Sequence, residues 1–182
     1  SLINNIIIDN TANKGGGIYF SESGCVIQNN IISGNQSTSS DGGGLFIPSG
    51  DDGGTNIKFN SFVRNKAVLM GAALKYQSYY DQGNINNNTF SGNNTTSTGP
   101  VWDYNANFYS NSIYVGTYPS SNVLVQPTIN NNNIINEGST YSLFAGTNAF
   151  NTTINCENNY WGTTVHQDII YDFNDNFNFA TI

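Results

Sequence analysis

The sequence predicts an all-β chain folded as a parallel β-helix, and the main support is a motif that occurs six times. In each copy an apolar residue is followed by Asn at +3 and a second apolar residue at +5, and in four copies by Asn at +8. The first four copies recur at steps of about 25, 30 and 28 residues, and self-similarity at such a period is typical of stacked repeats. The copies begin at Leu2, Ile27, Ile57, Ile85, Ile129 and Cys156.

The composition favours an ordered β protein and restricts its partners. Of the 182 residues, 33 are Asn and 19 are Gly, which form helices poorly and turns readily. Aromatic residues make up 13% of the chain, which suits a packed core. The net charge of −7, with only five Lys and Arg residues, disfavours nucleic acid, because phosphate binding relies on clustered cations. No run reaches the roughly 20 apolar residues of a membrane span.

The spacing within the motif predicts where the chain turns. Residues on one face of a continuous strand are separated by even numbers, whereas the two apolar positions are five apart. The chain must therefore turn between them, and we expect the Asn at +3 to adopt the left-handed backbone of that corner. The Asn at +8 marks a second corner, followed by a Gly- or Ala-rich segment and a third strand. These third segments are 15–20, 42–47, 71–76 and 99–102.

Three short strands per coil predict a roughly triangular cross-section and about six to seven coils in total. Stacked coils place equivalent asparagines over one another, so that their amides can hydrogen-bond along the stack. We therefore assign these asparagines a structural role and no catalytic one. The predicted ladder consists of Asn5, Asn30, Asn60, Asn88, Asn132 and Asn159.

Some of these segments resemble known repeats. Segments 62–65 and 90–93 match the F-x-x-N element of polymorphic outer-membrane-protein repeats, and segments 15–18, 42–45 and 71–74 resemble their G-G-A-[ILV] element. This resemblance covers roughly residues 1–104. The segment 158–163 is similar to the N-N-x-W-G-T ending of many surface-exposed, adhesin-like β-helix proteins. The resemblance implies a right-handed parallel β-helix in a secreted or cell-surface adhesin or matrix component, and it does not imply an enzyme.

We predict that residues 1–182 form a single β-helix domain, as the C-terminal fragment of a longer β-helix. Regular coils occupy 1–98, an irregular insertion or a degenerate coil occupies 99–128, and the last coils occupy 129–164. Residues 165–182 form a C-terminal cap. Apolar residues at 165, 169, 170 and 173 follow helical spacing, and a short helix there would cover the unpaired backbone edge of the last coil.

The sequence suggests several sites besides the ladder. An aromatic cluster in or beside the insertion could stack sugar rings, although the same rings could instead pack the insertion onto the coils. Asp51 and Asp52 offer oxygen ligands to Ca²⁺, but adjacent carboxylates are ordinarily a solvated turn, and we predict no other metal or cofactor. The aromatic candidates for ligand binding are Trp102, Tyr104, Phe108, Tyr109 and Tyr114.

Five sequons and two cysteines complete the candidates. Asn35 and Asn93 are +8 corner positions and could carry glycans only if their side chains point outward. Cys25 and Cys156 belong to well-separated coils, beyond the reach of a disulfide, so we expect two buried thiols. The possible N-glycosylation sites are Asn35, Asn87, Asn93, Asn94 and Asn151.

Together these features predict an extracellular or cell-surface structural and adhesive module without catalytic activity. It would bind glycans or other surface and matrix proteins through its lateral surface, and it could associate with itself end to end or laterally. The alternative is a polysaccharide-active β-helix enzyme, a lyase or a hydrolase. Such an enzyme needs paired carboxylates, or a Ca²⁺ site beside a basic residue. Arg64 and Lys66 are the only close basic pair, and equivalent positions of neighbouring coils hold no Asp or Glu.

Overall fold

The structure is a computed structural model, and it confirms the parallel β-helix. It describes residues 1–21, 24–48, 54–77, 83–96, 111–116, 127–135, 141–145, 154–162, 170–172 and 177–178. These residues form 22 short strands and no helix. Every pairing between the described strands is parallel. The right-handed winding of the coils stays a prediction.

The first three coils each contain four strands. Coil 1 consists of Leu2–Ile3 (β1), Ile6–Ile8 (β2), Thr11–Ala12 (β3) and Ile18–Tyr19 (β4). Coil 2 consists of Val26–Gln28 (β5), Ile31–Ser33 (β6), Gln36–Ser37 (β7) and Leu45–Ile47 (β8). Coil 3 consists of Asn56–Lys58 (β9), Ser61–Val63 (β10), Lys66–Ala67 (β11) and Leu74–Gln77 (β12).

The later strands continue the same stacking. The fourth group consists of Asn84–Asn86 (β13), Thr89–Ser91 (β14), Asn94–Thr95 (β15) and Asn111–Gly116 (β16). Next come Thr128–Asn130 (β17), Asn133–Ile135 (β18) and Tyr141–Ala145 (β19). The last three strands are Ile154–Asn155 (β20), Ile170–Asp172 (β21) and Phe177–Asn178 (β22).

Stacking produces four main sheets, named here A to D. Sheet A contains β1, β5, β9, β13 and β17, and sheet B contains β2, β6, β10, β14 and β18. Sheet C contains β3, β7, β11 and β15, and sheet D contains β4, β8, β12, β16, β19 and β21. The prediction of three strands per coil is therefore wrong. The additional strand, which forms sheet C, has two residues in each coil and lacks apolar alternation. Its backbone still pairs with the neighbouring coil; for example, the Gln36 N–H donates to the Asn10 carbonyl at 2.8 Å.

The coil count and the insertion also differ from the predictions. About three coils are continuous, fewer than the predicted six to seven. Segment 111–116 is a strand, and its residue Ile113 pairs with Leu74 in sheet D. It thus serves as the sheet D strand of the fourth group and is not part of an extra coil. Segment 99–102, which we expected in that role, lies outside the described residues.

The described part of the predicted cap is β-structure. Ile170–Asp172 is a strand that pairs with Tyr141–Ala145 in sheet D, and Phe177–Asn178 pairs with Ile154–Asn155. Pairing with an open sheet edge satisfies the backbone of these residues directly. The predicted helix over 165–182 is therefore not found at these positions, and the other residues of that range lie outside the described part.

Three columns of apolar side chains fill the interior of the coils. In sheet B, the Phe62 and Phe90 rings stack at a centroid distance of 4.9 Å and an interplanar angle of 7°. Cys25 and Cys156 are buried thiols, as predicted. The described interior is packed with side chains. The columns are Ile27, Ile57, Ile85 and Ile129; Ile32, Phe62, Phe90 and Ile134; and Leu45, Leu74, Ile113 and Leu143.

Candidate functional site

The predicted asparagine ladder is present at the corner between sheets A and B. Each ladder asparagine before Asn159 donates its backbone N–H and its Nδ2–H to Oδ1 of the next asparagine in the ladder. From Asn60 to Asn88 Oδ1 these bonds measure 2.9 and 3.0 Å. Asn60 Nδ2 also donates to the Ile27 carbonyl at 2.8 Å. Side chains thus replace the backbone ladder at the corner, along Asn5, Asn30, Asn60, Asn88, Asn132 and Asn159.

A second ladder with the same bonding stands at the corner between sheets B and C. Its members are Asn10, Asn35, Asn65 and Asn93. Asn35 and Asn93 are buried, and their Nδ2 atoms donate to the Ile7 and Phe62 carbonyls at 2.8 and 2.9 Å. A glycan on either side chain would break the ladder, which conflicts with their prediction as glycosylation sites.

The other sequons have different positions. Asn87 is exposed at a corner, Asn94 is partly exposed in β15, and Asn151 lies outside the described residues. Glycosylation at these three positions stays a prediction.

The left-handed residue of each corner precedes the ladder asparagine, so our assignment of that conformation to the ladder residue itself is wrong. Between sheets A and B, φ is +55° at Asn29, +57° at Phe59 and +54° at Asn87. Five of the six residues in this column are asparagine, which tolerates the conformation well. Phe59 is the exception. The asparagines are Asn4, Asn29, Asn87, Asn131 and Asn158.

Phe59 is also the aromatic wall of an open groove, which we call the corner groove. The groove has a volume of about 400 Å³, and Phe59 is 53% exposed beside it. Its polar rim includes exposed Asn29 and Asn87, one coil to either side. The arrangement offers one apolar ring face between amides that can both donate and accept. The lining residues are Asn29, Asn30, Ile31, Phe59, Asn60, Ser61, Asn87 and Thr89.

An apolar strip continues from the corner groove onto the first coil. Ile31 lines the groove and pairs in register with Ile6 of the neighbouring strand. Ile3, Ile6 and Ile31 are all exposed, Ile6 by 70%. Contiguous exposed apolar residues of this kind commonly mark binding surfaces.

The sequence analysis missed Phe59, although a signal was present. The position before the +3 asparagine holds Asn in five of the six copies, and only the third copy departs from it.

The predicted sites away from the ladder are mostly outside the described residues. This applies to Trp102, Tyr104, Phe108, Tyr109, Asp51 and Asp52. Tyr114 is described, and it is buried in sheet D with its ring centroid 5.1 Å from Lys75 Nζ. It therefore packs in the described structure and does not present an exposed ring to a ligand.

Three further properties concern metals, thiols and membrane-spanning helices. Within the described ranges, His, Cys, Asp and Glu side chains form no cluster that could hold a metal ion. Burial raises the pKa of the Cys156 thiol far above its ordinary value. This keeps Cys156 protonated and poorly nucleophilic at neutral pH. The described residues also contain no helix long and apolar enough to cross a membrane.

Comparison with protein-family models, curated proteins and solved structures gave no match. The parallel β-helix is therefore established by strand pairing alone. The resemblance to polymorphic outer-membrane-protein repeats stays a prediction.

Proposed function

We propose that this chain is a non-catalytic adhesive module of an extracellular or cell-surface protein, of the adhesin-like kind that its repeats resemble. In this proposal it binds glycans through the corner groove. The observation that carries the proposal is the half-exposed ring of Phe59, held in a left-handed backbone conformation where the other coils have asparagine.

The chemistry of the corner groove suits a sugar. The C–H face of a pyranose ring can lie against the exposed Phe59 ring, which removes apolar surface of both from water. Asn29 and Asn87 belong to the coils on either side, at the spacing of about 4.8 Å per coil. Their amides can therefore bind hydroxyl groups at both edges of a sugar stacked on the ring.

The backbone of Phe59 adds a second line of support. A bulky residue with positive φ is an outlier that costs about 1–2 kcal/mol. The exposed ring recovers little of that cost through burial in the folded chain. Strained residues of this kind cluster at binding and catalytic sites.

The test is the Phe59→Asn variant, which gives the third coil the residue found at the same corner of the other five. We expect it to lose retention on a glycan array while its circular dichroism is unchanged and its stability is equal or higher. Tyr160→Asn is the matched control, because Tyr160 is another exposed aromatic residue and does not line the corner groove. If Phe59→Asn binds glycans as the wild type does, the corner groove is not the binding site.

A partner protein of the surface or matrix is the second candidate ligand, and the strip of Ile3, Ile6 and Ile31 favours it. An apolar strip of this kind suits a protein surface better than a sugar. Ile6→Ser should weaken such an interaction and leave glycan retention unchanged, which separates the two candidates in one set of variants.

A further inference from the structure

A buried ion pair joins Lys75 of β12 in sheet D to Asp41, which precedes β8, and the proposed function does not use it. Lys75 and Asp41 are only 4% and 7% exposed, and Lys75 Nζ lies 2.8 Å from Asp41 Oδ2. The two residues belong to neighbouring coils, 34 positions apart in sequence. Burying two opposite charges is costly and seldom stabilises a protein more than apolar packing would.

The surroundings of the pair resemble a small reaction site. The Phe46 and Tyr114 rings face Lys75 Nζ at centroid distances of 5.3 and 5.1 Å. The Met70 N–H donates to Asp41 Oδ1 at 3.1 Å, and the Ser40 hydroxyl donates to Asp41 Oδ2 at 2.9 Å. The nitrogen and the carboxyl group are thus held together between aromatic walls, with a separate donor on each carboxyl oxygen.

We propose that Lys75 and Asp41 condense to an isopeptide bond that links coil 2 covalently to coil 3. One proton of the Lys75 ammonium first passes to Asp41 Oδ2, which frees the Nζ lone pair. The lone pair attacks Asp41 Cγ, the Cγ–N bond forms, and the Cγ–Oδ2 bond breaks. In all, two of the three protons of the Lys75 ammonium pass to Oδ2, which leaves as water. The reaction consumes one ammonium and one carboxylate and yields one amide and one water, so no oxidant or other reactant is needed.

Each neighbour has a defined part in this step. The Met70 N–H stabilises the negative charge that develops on Oδ1 in the tetrahedral intermediate. The Ser40 hydroxyl hydrogen-bonds the departing oxygen and can relay a proton to it. Holding Lys75 Nζ 2.8 Å from Asp41 Oδ2 replaces an encounter of the amine and the carboxyl group in solution, an advantage that reaches about 10⁵ M or more in effective concentration. The buried position disfavours the charged pair and restricts the water that would reverse the reaction.

The primary test is the intact mass of the folded wild-type chain after prolonged incubation. We expect a mass lower by one water molecule. Trypsin should then fail to cleave after Lys75, because its ammonium group has become an amide. Tandem mass spectrometry of the digest should detect peptide 15–58, which contains Asp41, covalently linked to the peptide that spans position 75.

Asp41 precedes Gly42, and an Asp-Gly pair can also lose water by forming a cyclic imide within the backbone. Lys75→Arg separates the two reactions, because it keeps the positive charge but cannot form this amide. Loss of water that persists in Lys75→Arg would overturn the proposal in favour of the imide. A wild-type mass equal to the sequence mass, in protein shown by circular dichroism to be folded, would overturn it in favour of a simple ion pair.

Discussion

Asn60→Ala tests how much of the stability depends on a single ladder side chain. In the folded chain, Asn60 Oδ1 accepts from the Asn30 backbone N–H at 3.0 Å and from Asn30 Nδ2 at 2.9 Å. Asn60 Nδ2 donates to the Ile27 carbonyl at 2.8 Å. Truncation removes these three bonds together with the Nδ2 bonds to Asn88 Oδ1 at 3.0 Å and to the Lys58 carbonyl at 3.1 Å. Asn30 and Asn60 are both buried.

The magnitude follows from the groups left without partners. Asn30 Nδ2 keeps its bond to the Leu2 carbonyl at 3.0 Å, so the main loss is the Asn30 backbone N–H. A buried donor without a partner costs about 1–3 kcal/mol. The Ile27 carbonyl also loses the Asn60 Nδ2–H as a donor, and the shorter side chain leaves a small void. We therefore expect the free energy of unfolding to fall by about 2–4 kcal/mol.

Chemical denaturation monitored by circular dichroism measures the change. The matched control is Asn86→Ala, the same substitution at a half-exposed position on the outer face of β13, where we expect a change within about 0.5 kcal/mol. Equal losses in the two variants would refute the argument, since burial and bonding would then have no bearing on the effect. A wild-type midpoint for Asn60→Ala would refute it as well.

Three further predictions concern single residues. Phe59→Asn should raise the free energy of unfolding by about 1 kcal/mol, because asparagine adopts positive φ more readily; a decrease in the denaturation midpoint would contradict this. Gly42→Ala should lower the melting temperature and cost about 1–3 kcal/mol, because φ is +64° there and a Cβ would collide with Phe46 Cβ. Cys156 should react with a thiol reagent at neutral pH only after denaturation. Burial raises the pKa of the Cys156 thiol, so the stability that the protonated thiol contributes is fully present below about pH 8.5 and falls as the pH rises above that value. A free energy of unfolding that rises with pH above about 8.5 would contradict the assignment of Cys156 as a buried, protonated thiol.

The repeat motif predicted the stacked coils and the ladder because each coil obeys the same local rules. Apolar residues at odd separation require a corner, and a buried corner requires side-chain amides for its backbone groups. Even the degenerate sixth copy follows the rule, since Asn159 Oδ1 accepts from the Asn132 N–H at 2.9 Å. The sheet C strands were not predicted, because backbone pairing with a neighbouring coil needs no apolar pattern.

The candidate sites depended on contacts between coils, which a linear pattern does not contain. Phe59 becomes a candidate only when its ring is seen between Asn29 and Asn87 on a left-handed corner. Lys75 and Asp41 are 34 residues apart, and nothing in their local sequence indicates that they meet.

By itself, the sequence determined the all-β parallel coil, the ladder asparagines and the buried thiols, because these follow from local periodicity repeated at every coil. The tertiary structure decided the number of strands in each coil, which corner residue is left-handed, and the partner of the 111–116 strand. It also decided that Asn35 and Asn93 point inward. These outcomes depend on which backbone groups of neighbouring coils meet, and that pairing exists only once the coils are stacked.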